Sequence, residues 1–190
     1  PVRGRVTIRP EVEQGETFTL DAAGRHVWRP RWPRARVDAD FAAPELSWRG
    51  DGYVDMNAGI EPLEAGFTAW DWSRAATKDG AAILYDSLRT DGTRAPLALD
   101  IGRDGTARRF EPPEPAALPV TGWRVARGTR SEGAARVTET LEDTPFYARS
   151  LIETELLGQQ RLSMHESLDL RRFSSSWVKV LLPFRMPRAF

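Results

Sequence analysis

Short stretches that alternate in polarity, cut by turn-forming residues, dominate this chain. A sequence patterned in this way is expected to fold as an all-β antiparallel sandwich or barrel. Val6–Pro10 and Thr17–Leu20 read as strands, and Asp21-Ala22-Ala23-Gly24 turns the chain into Arg25–Trp28. Arg34–Phe41 and Glu45–Arg49 follow, parted at Pro44. Gly50-Asp51-Gly52 is expected as a tight turn into Tyr53–Met56, and Asn57-Ala58-Gly59 as another. Pro62 opens a helical turn through Phe67. Ala81–Leu88 is an apolar strand linked through Asp91-Gly92 to Pro96–Ile101, and Asp104-Gly105 precedes Thr106–Phe110. The proline-rich stretch from Glu111 to Pro119 reads as a surface loop. Beyond it, Gly122–Arg130, Ala135–Glu142, Tyr147–Leu157 and Gln160–Asp169 form a meander, with one short helix near Phe173–Leu182 stopped by Pro183.

Composition narrows the function. Lys plus Arg and Asp plus Glu number 27 each, which argues against a nucleic-acid partner. There is no cysteine, so disulfides and thiolate zinc sites are excluded. No apolar run reaches the roughly 18 residues of a membrane-spanning helix. The chain opens on Pro1-Val2-Arg3 without a methionine and reads as part of a larger protein.

Two pairs of functional side chains stand out. Neighbours two apart on a strand share a face, so Tyr53 lies with Asp55, and His26 with Trp28. If their strands sit side by side, four groups line one cavity: an acid, its orienting partners and an aromatic wall. Each also has a plain structural reading, Asp55 as a turn cap and the others as core residues. Trp70 and Trp72 alternate on one face with Asp71 opposite, either lining a channel or closing the core. Tyr85 and Asp86 are adjacent, so only one of them enters any given cavity; Asp86 is the second candidate acid. His165, in Ser163-Met164-His165-Glu166, reads as a satisfied strand histidine, and two histidines without a supporting motif predict no metal site.

The string Gly52-Tyr53-x-Asp55-x-Asn57-x-Gly59, with Pro62-Leu63-Glu64, Phe67 and Trp70-x-Trp72-Ser73-Arg74, resembles the carotenoid 1,2-hydratases, also called hydroxyneurosporene synthases. Leu84-Tyr85-Asp86, the run Leu141 to Ser150, and Leu182-Pro183-Phe184-Arg185-Met186-Pro187 extend the likeness over nearly the whole chain. The resemblance implies a two-part, lipocalin-like β architecture of which residues 1–190 are the C-terminal half. Residues 1–110 would carry the active-site strands, 111–119 the proline-rich loop and 120–190 the meander and tail. It further implies hydration of the terminal C1–C2 double bond of an acyclic carotenoid such as neurosporene or lycopene, without cofactor. By motif, the residues implicated are His26, Trp28, Tyr53 and Asp55.

That chemistry begins with a proton donor. An ordinary aspartate titrates near about 3.9, so a carboxyl that donates at neutral pH needs apolar enclosure, which a carotenoid channel provides. Asp55 is the expected acid, protonating C2 and leaving the cation on tertiary C1. Tyr53 would bond Asp55 or hold water, His26 would accept the water's proton or orient Asp55, and Trp28 would face the cation. Trp70, Trp72, Tyr85 and Asp86 would bind substrate. Two rivals use the same cavity: a non-catalytic carrier of an apolar isoprenoid, and a terpenoid or polyene cyclase that excludes water.

A carotenoid dissolves in bilayers. Arg25, Arg29, Arg31, Arg34 and Arg36 form a run without acids, and no acid follows Asp169, so peripheral membrane contact is expected there, with Trp32, Trp177 and Phe184 at the interface. Arginine far exceeds lysine, 25 to 2, and alanine is abundant. That bias suggests a GC-rich bacterial source, hence a bacterial cytoplasm and the inner face of its membrane.

Overall fold

The computed structural model describes residues 2–184, in which strands predominate and helix is confined to short pieces. In chain order the elements are β1 (Arg3–Val12), β2 (Phe18–Thr19), β3 (His26–Ala43), β4 (Glu45–Gly59), α1 (Leu63–Gly66), β5 (Phe67–Ala76), β6 (Ala81–Arg89) and β7 (Arg94–Ile101). They continue as β8 (Ala107–Arg109), β9 (Pro115–Leu118), β10 (Arg127–Arg130), β11 (Arg136–Asp143), β12 (Tyr147–Leu156), β13 (Gln159–Asp169), α2 (Leu170–Phe173) and α3 (Ser176–Leu181).

A seven-stranded antiparallel sheet runs β11-β12-β13-β5-β6-β7-β8. Its hairpins are tight: Leu157 and Gly158 both adopt positive φ between β12 and β13, the backbone a two-residue turn demands. A second sheet centres on β3, flanked by β1 and β2 along one edge and β4 along the other. The two sheets face each other. Val12, Phe18, Leu20 and Trp28 from the smaller meet Phe67, Trp72, Ile83, Tyr85, Leu99 and Ile101 from the larger, and Leu170 of α2 joins them. Among the described residues β8 and β11 do not pair, so the architecture is a sandwich rather than a closed barrel.

The other face of the large sheet is covered by the β9–β10 ribbon. Gly128 N–H of β10 donates to Asp71 Oδ1 of β5 at 3.0 Å, and Arg130 Nε to Asp86 Oδ2 of β6 at 2.8 Å. Residues Ala81 to Ser87 are consequently buried on both faces, which is why the strand opens as the apolar run Ala81–Tyr85.

Several expectations are corrected. The separate strands Arg25–Trp28 and Arg34–Phe41 are one strand, β3, which passes through Pro30 and Pro33. Its pairing with β4 shifts register between Arg29 and Trp32 and again between Trp32 and Ala35, where the prolines offer no N–H. Gly50-Asp51-Gly52 is not a turn but lies within β4, opposite Val37, Arg36 and Ala35. A Cβ on Gly52 would come 2.5 Å from Val37 Cγ2, so glycine serves close approach there. Asn57-Ala58-Gly59 likewise stays in β4, with Gly59 against the ring of His26. Part of the proline-rich stretch is strand β9, whereas only Arg127–Arg130 of the expected Gly122–Arg130 strand forms. The C-terminal helix is two, α2 and α3, the first capped by the Asp169 carboxylate accepting from Arg172 N–H at 3.0 Å. Residues 185–190 of the expected tail lie outside the described residues.

Candidate active site

β3 and β4 run antiparallel with Trp28 opposite Asn57, which brings the indole beneath the Tyr53–Asp55 face. Trp28 Nε1 donates to Asp55 Oδ2 at 2.7 Å, and Tyr53 Oη donates to the same oxygen at 3.1 Å. Both donors therefore converge on one carboxylate oxygen, Oδ2. Asp55 thus stands in a cavity of about 260 Å³ between the sheets. Trp70 and Trp72 of β5 and Tyr85 of β6 make its floor, Tyr53, Asp55 and Asn57 of β4 its roof, and Arg149 of β12 with Glu166 of β13 its polar end. The rings interlock: Tyr53 lies 5.1 Å from Trp72, Trp28 5.3 Å from Tyr85, and Trp70 5.9 Å from Tyr85, centroid to centroid.

Burial, reinforced by the Asp55 carboxylate, pushes the Tyr53 phenol well above its usual range. Tyr85 is pushed up as well, first by burial and then by the charges of Asp55 and Glu166. Both phenols therefore keep their protons and act as donors, Tyr85 toward Asn57 Oδ1 at 3.5 Å. At the polar end Arg149 Nε and Nη2 both reach Glu166 Oε1, at 3.0 and 2.9 Å.

The sequence-derived candidates are distributed unevenly. Tyr53, Asp55, Trp70, Trp72 and Tyr85 share the cavity. Trp28 is completely buried and offers Asp55 its N–H, while the rings that line the cavity are those of Tyr53, Trp70, Trp72 and Tyr85. His26 is buried at the end of β3, where Asp21 Oδ2 receives its backbone N–H at 2.7 Å and lies 3.0 Å from Nδ1. It packs on Phe67 and does not line the cavity.

Asp86 faces the opposite side of β6, held by Arg130 and by Arg94 at 3.4 Å, and does not line this cavity. On that back face Asp71 accepts from Gly128 N–H and Ser167 Oγ, and burial lifts its carboxyl to about 6. His165 is buried in β13, and only one of its two ring nitrogens is satisfied. Its Nε2 bonds Gly128 O at 2.8 Å, its Nδ1 is buried without a partner, and burial lowers its pKa to about 4. Arg149 and Glu166 were not singled out from sequence; the only trace was Arg149 inside the family-like run Leu141 to Ser150.

The arginine run is largely neutralised: Arg34 and Arg36 share Glu11, Arg36 also meets Asp51, and Arg25 meets Glu61. No described helix is long and apolar enough to cross a membrane.

The chain is 53% identical over 190 residues to the acyclic carotenoid 1,2-hydratase of Thiocapsa roseopersicina, covering 98% of this chain and 47% of that protein. It is 40% identical to that of Cereibacter sphaeroides, covering 99% of this chain and 68% of the relative, and 41% identical to that of Rubrivivax gelatinosus, covering 98% and 47%. The chain thus spans about half the length of two of these relatives. In fold it is similar to the crystal structure of an AttH candidate from Nitrosomonas europaea, with TM-score 0.58 and 16% identity over 86% of this chain and 59% of that one. This likeness speaks for an all-β, lipocalin-like fold. The model of carotenoid hydratase CrtC matches residues 1–190, and with relatives of this identity the chain belongs to the CrtC carotenoid hydratase family.

Proposed function

We propose that this cavity adds water across the terminal C1–C2 double bond of an acyclic carotenoid of the neurosporene or lycopene type, giving a tertiary 1-hydroxy product. The observation that carries the reading is Asp55 Oδ2 held by Trp28 and Tyr53 at the roof of an aromatic cavity. Asp55 Oδ1–H protonates C2, and the positive charge appears on tertiary C1. As Asp55 becomes a carboxylate, its charge is met by the two bonds already aimed at Oδ2, so little reorganisation is needed. Trp70, Trp72 and Tyr85 present π-faces to the cation, contacts worth up to about 2 kcal/mol each when desolvated. Water then captures C1. His26 acts at one remove, fixing through Asp21 the end of β3 from which Trp28 projects. Every proton in this scheme passes between side chains and water, with no cofactor.

We further infer that substrate is taken from a bilayer, at the inner face of a bacterial cytoplasmic membrane. Trp177 and Val180, one turn apart on α3, and Phe184 beyond the helix are exposed apolar side chains. Flotation of the protein with anionic liposomes tests this; a protein left in the soluble fraction refutes it.

The function is tested with the full-length protein, wild type beside Asp55→Asn, given lycopene or neurosporene in lipid and heavy water. Mass spectrometry is expected to find a labelled water adduct with the wild type and at least about 100-fold less with the variant, the range for loss of a general acid. Hydration that survives in the variant overturns the assignment of Asp55. Binding without product in both supports a carrier instead.

A further inference from the structure

We propose that Glu166, held by Arg149, takes the proton from the attacking water, so that acid and base of the hydration project from opposite sheets. The inference rests on the hydration reading of this cavity. Water adding to a tertiary cation is an oxonium until it loses a proton, and an acceptor close to C1 makes capture irreversible.

Of the groups lining the cavity two are carboxylates, Asp55 on the roof and Glu166 on the floor side. Glu166 stands opposite Trp72 in the β13–β5 pair, and Trp72 stands opposite Tyr85 in the β5–β6 pair. Neighbouring strands lie about 4.8 Å apart, so Glu166 sits one strand beyond the ring on which Tyr53 stacks. The end group of a substrate in this cavity would have Asp55 on the roof side and Glu166 at the polar end. The approaches of Arg149, from Nε and Nη2, are both to Oε1, which leaves Oε2 as the oxygen for the water's proton. The glutamate side chain is 26% exposed, in touch with the water it must activate. His26 offers no competing route, because it is sealed from the cavity and its Nδ1 lies against Asp21.

The steps balance. The Asp55 Oδ1–H bond breaks as the π pair forms C2–H, and a water lone pair forms C1–O. The water O–H then breaks, its proton going to Glu166 Oε2. Solvent carries that proton away and reprotonates Asp55, so the net change is one water added. When no base takes the water's proton, the cation decays backward: Asp55 carboxylate removes a proton from C2 and the alkene re-forms. Where the cation turns about its C2–C3 bond before return, the original hydrogen is the one removed, and in heavy water deuterium stays at C2 of recovered substrate.

The experiment measures both fates, labelled alcohol and labelled alkene, with the full-length protein in heavy water. Glu166→Gln keeps size and polarity and is expected to raise the ratio of exchanged alkene to alcohol at least tenfold while C2 labelling continues. Glu166→Asp, which retains a carboxylate, should move it less. Arg149 is a positioning residue: Arg149→Ala should raise the ratio and Arg149→Lys restore most of it. An unchanged ratio in Glu166→Gln, or equal loss of both products with the fold intact by circular dichroism, overturns the proposal. A wild type that makes neither product shows instead that the hydration reading itself has failed, and the inference falls with it.

Discussion

Trp28 reaches across from β3 to place its indole N–H 2.7 Å from Asp55 Oδ2, and no part of that indole touches solvent. Indole nitrogen is a donor only. A donor that cannot rotate away, packed between Phe18 and Tyr85, therefore fixes which carboxylate oxygen accepts and which is free to carry a proton.

Trp28→Phe retains most of the packing and deletes the donor. A hydrogen bond to a charged group contributes about 1.5–3 kcal/mol, so kcat should fall about 10- to 100-fold, with KM changed much less. Steady-state kinetics on carotenoid-loaded vesicles checks the split; a fall confined to KM would contradict it.

Tyr53→Phe removes the second donor. Because the Tyr53 phenol is held well above its usual range, the wild-type rate should show no alkaline break near pH 10 from loss of this proton. Tyr53→Phe should lower kcat without altering the alkaline side of the profile. A pH–rate series on both proteins decides it.

Acid stability should depend on two buried groups that oppose each other. His165 titrates near 4 when folded and near 6.5 when free, so on acidification between those values only the unfolded chain gains its proton, and stability falls by about 3 kcal/mol. Asp71 titrates near 6 when folded and 3.8 when free; there the folded chain holds the extra proton, and stability rises on acidification. Denaturant melts at pH 7 and pH 4 should show a larger acid loss in Asp71→Asn than in wild type, and a smaller one in His165→Gln.

Gly59→Ala should unseat His26. The new methyl would stand 2.8 Å from His26 Cδ2 and 3.2 Å from Arg25 O, against a ring that is itself 1% exposed. Overpacking of this kind costs about 1–3 kcal/mol, read as a lower melting temperature. Gly15→Ala, where a methyl meets nothing within 4 Å, is the neutral control.

What was legible in the sequence follows from what is local. The two-residue period of strands put Tyr53 with Asp55 and Trp70 with Trp72, and both pairs line the cavity. The same period separated Tyr85 from Asp86. Glycine misled, because it marks turns and also close approach: Gly52 and Gly59 serve the second purpose, which only the pairing with β3 reveals. Glu166 lay out of reach for a related reason. Its place beside Trp72 depends on β13 pairing with β5 after the chain has made β6 through β12, and no local pattern encodes that register.

The ribbon behind the cavity floor has a further consequence. Trp70 and Trp72 alternate with Asp71, whose carboxylate is pinned to Gly128 of β10. The height of the aromatic floor is therefore adjustable from the rear, by residues no substrate ever meets. On the hydration proposed above, changes in the lining of β9 and β10 would reshape the floor while the Trp28 and Tyr53 bonds to Asp55 stay in place.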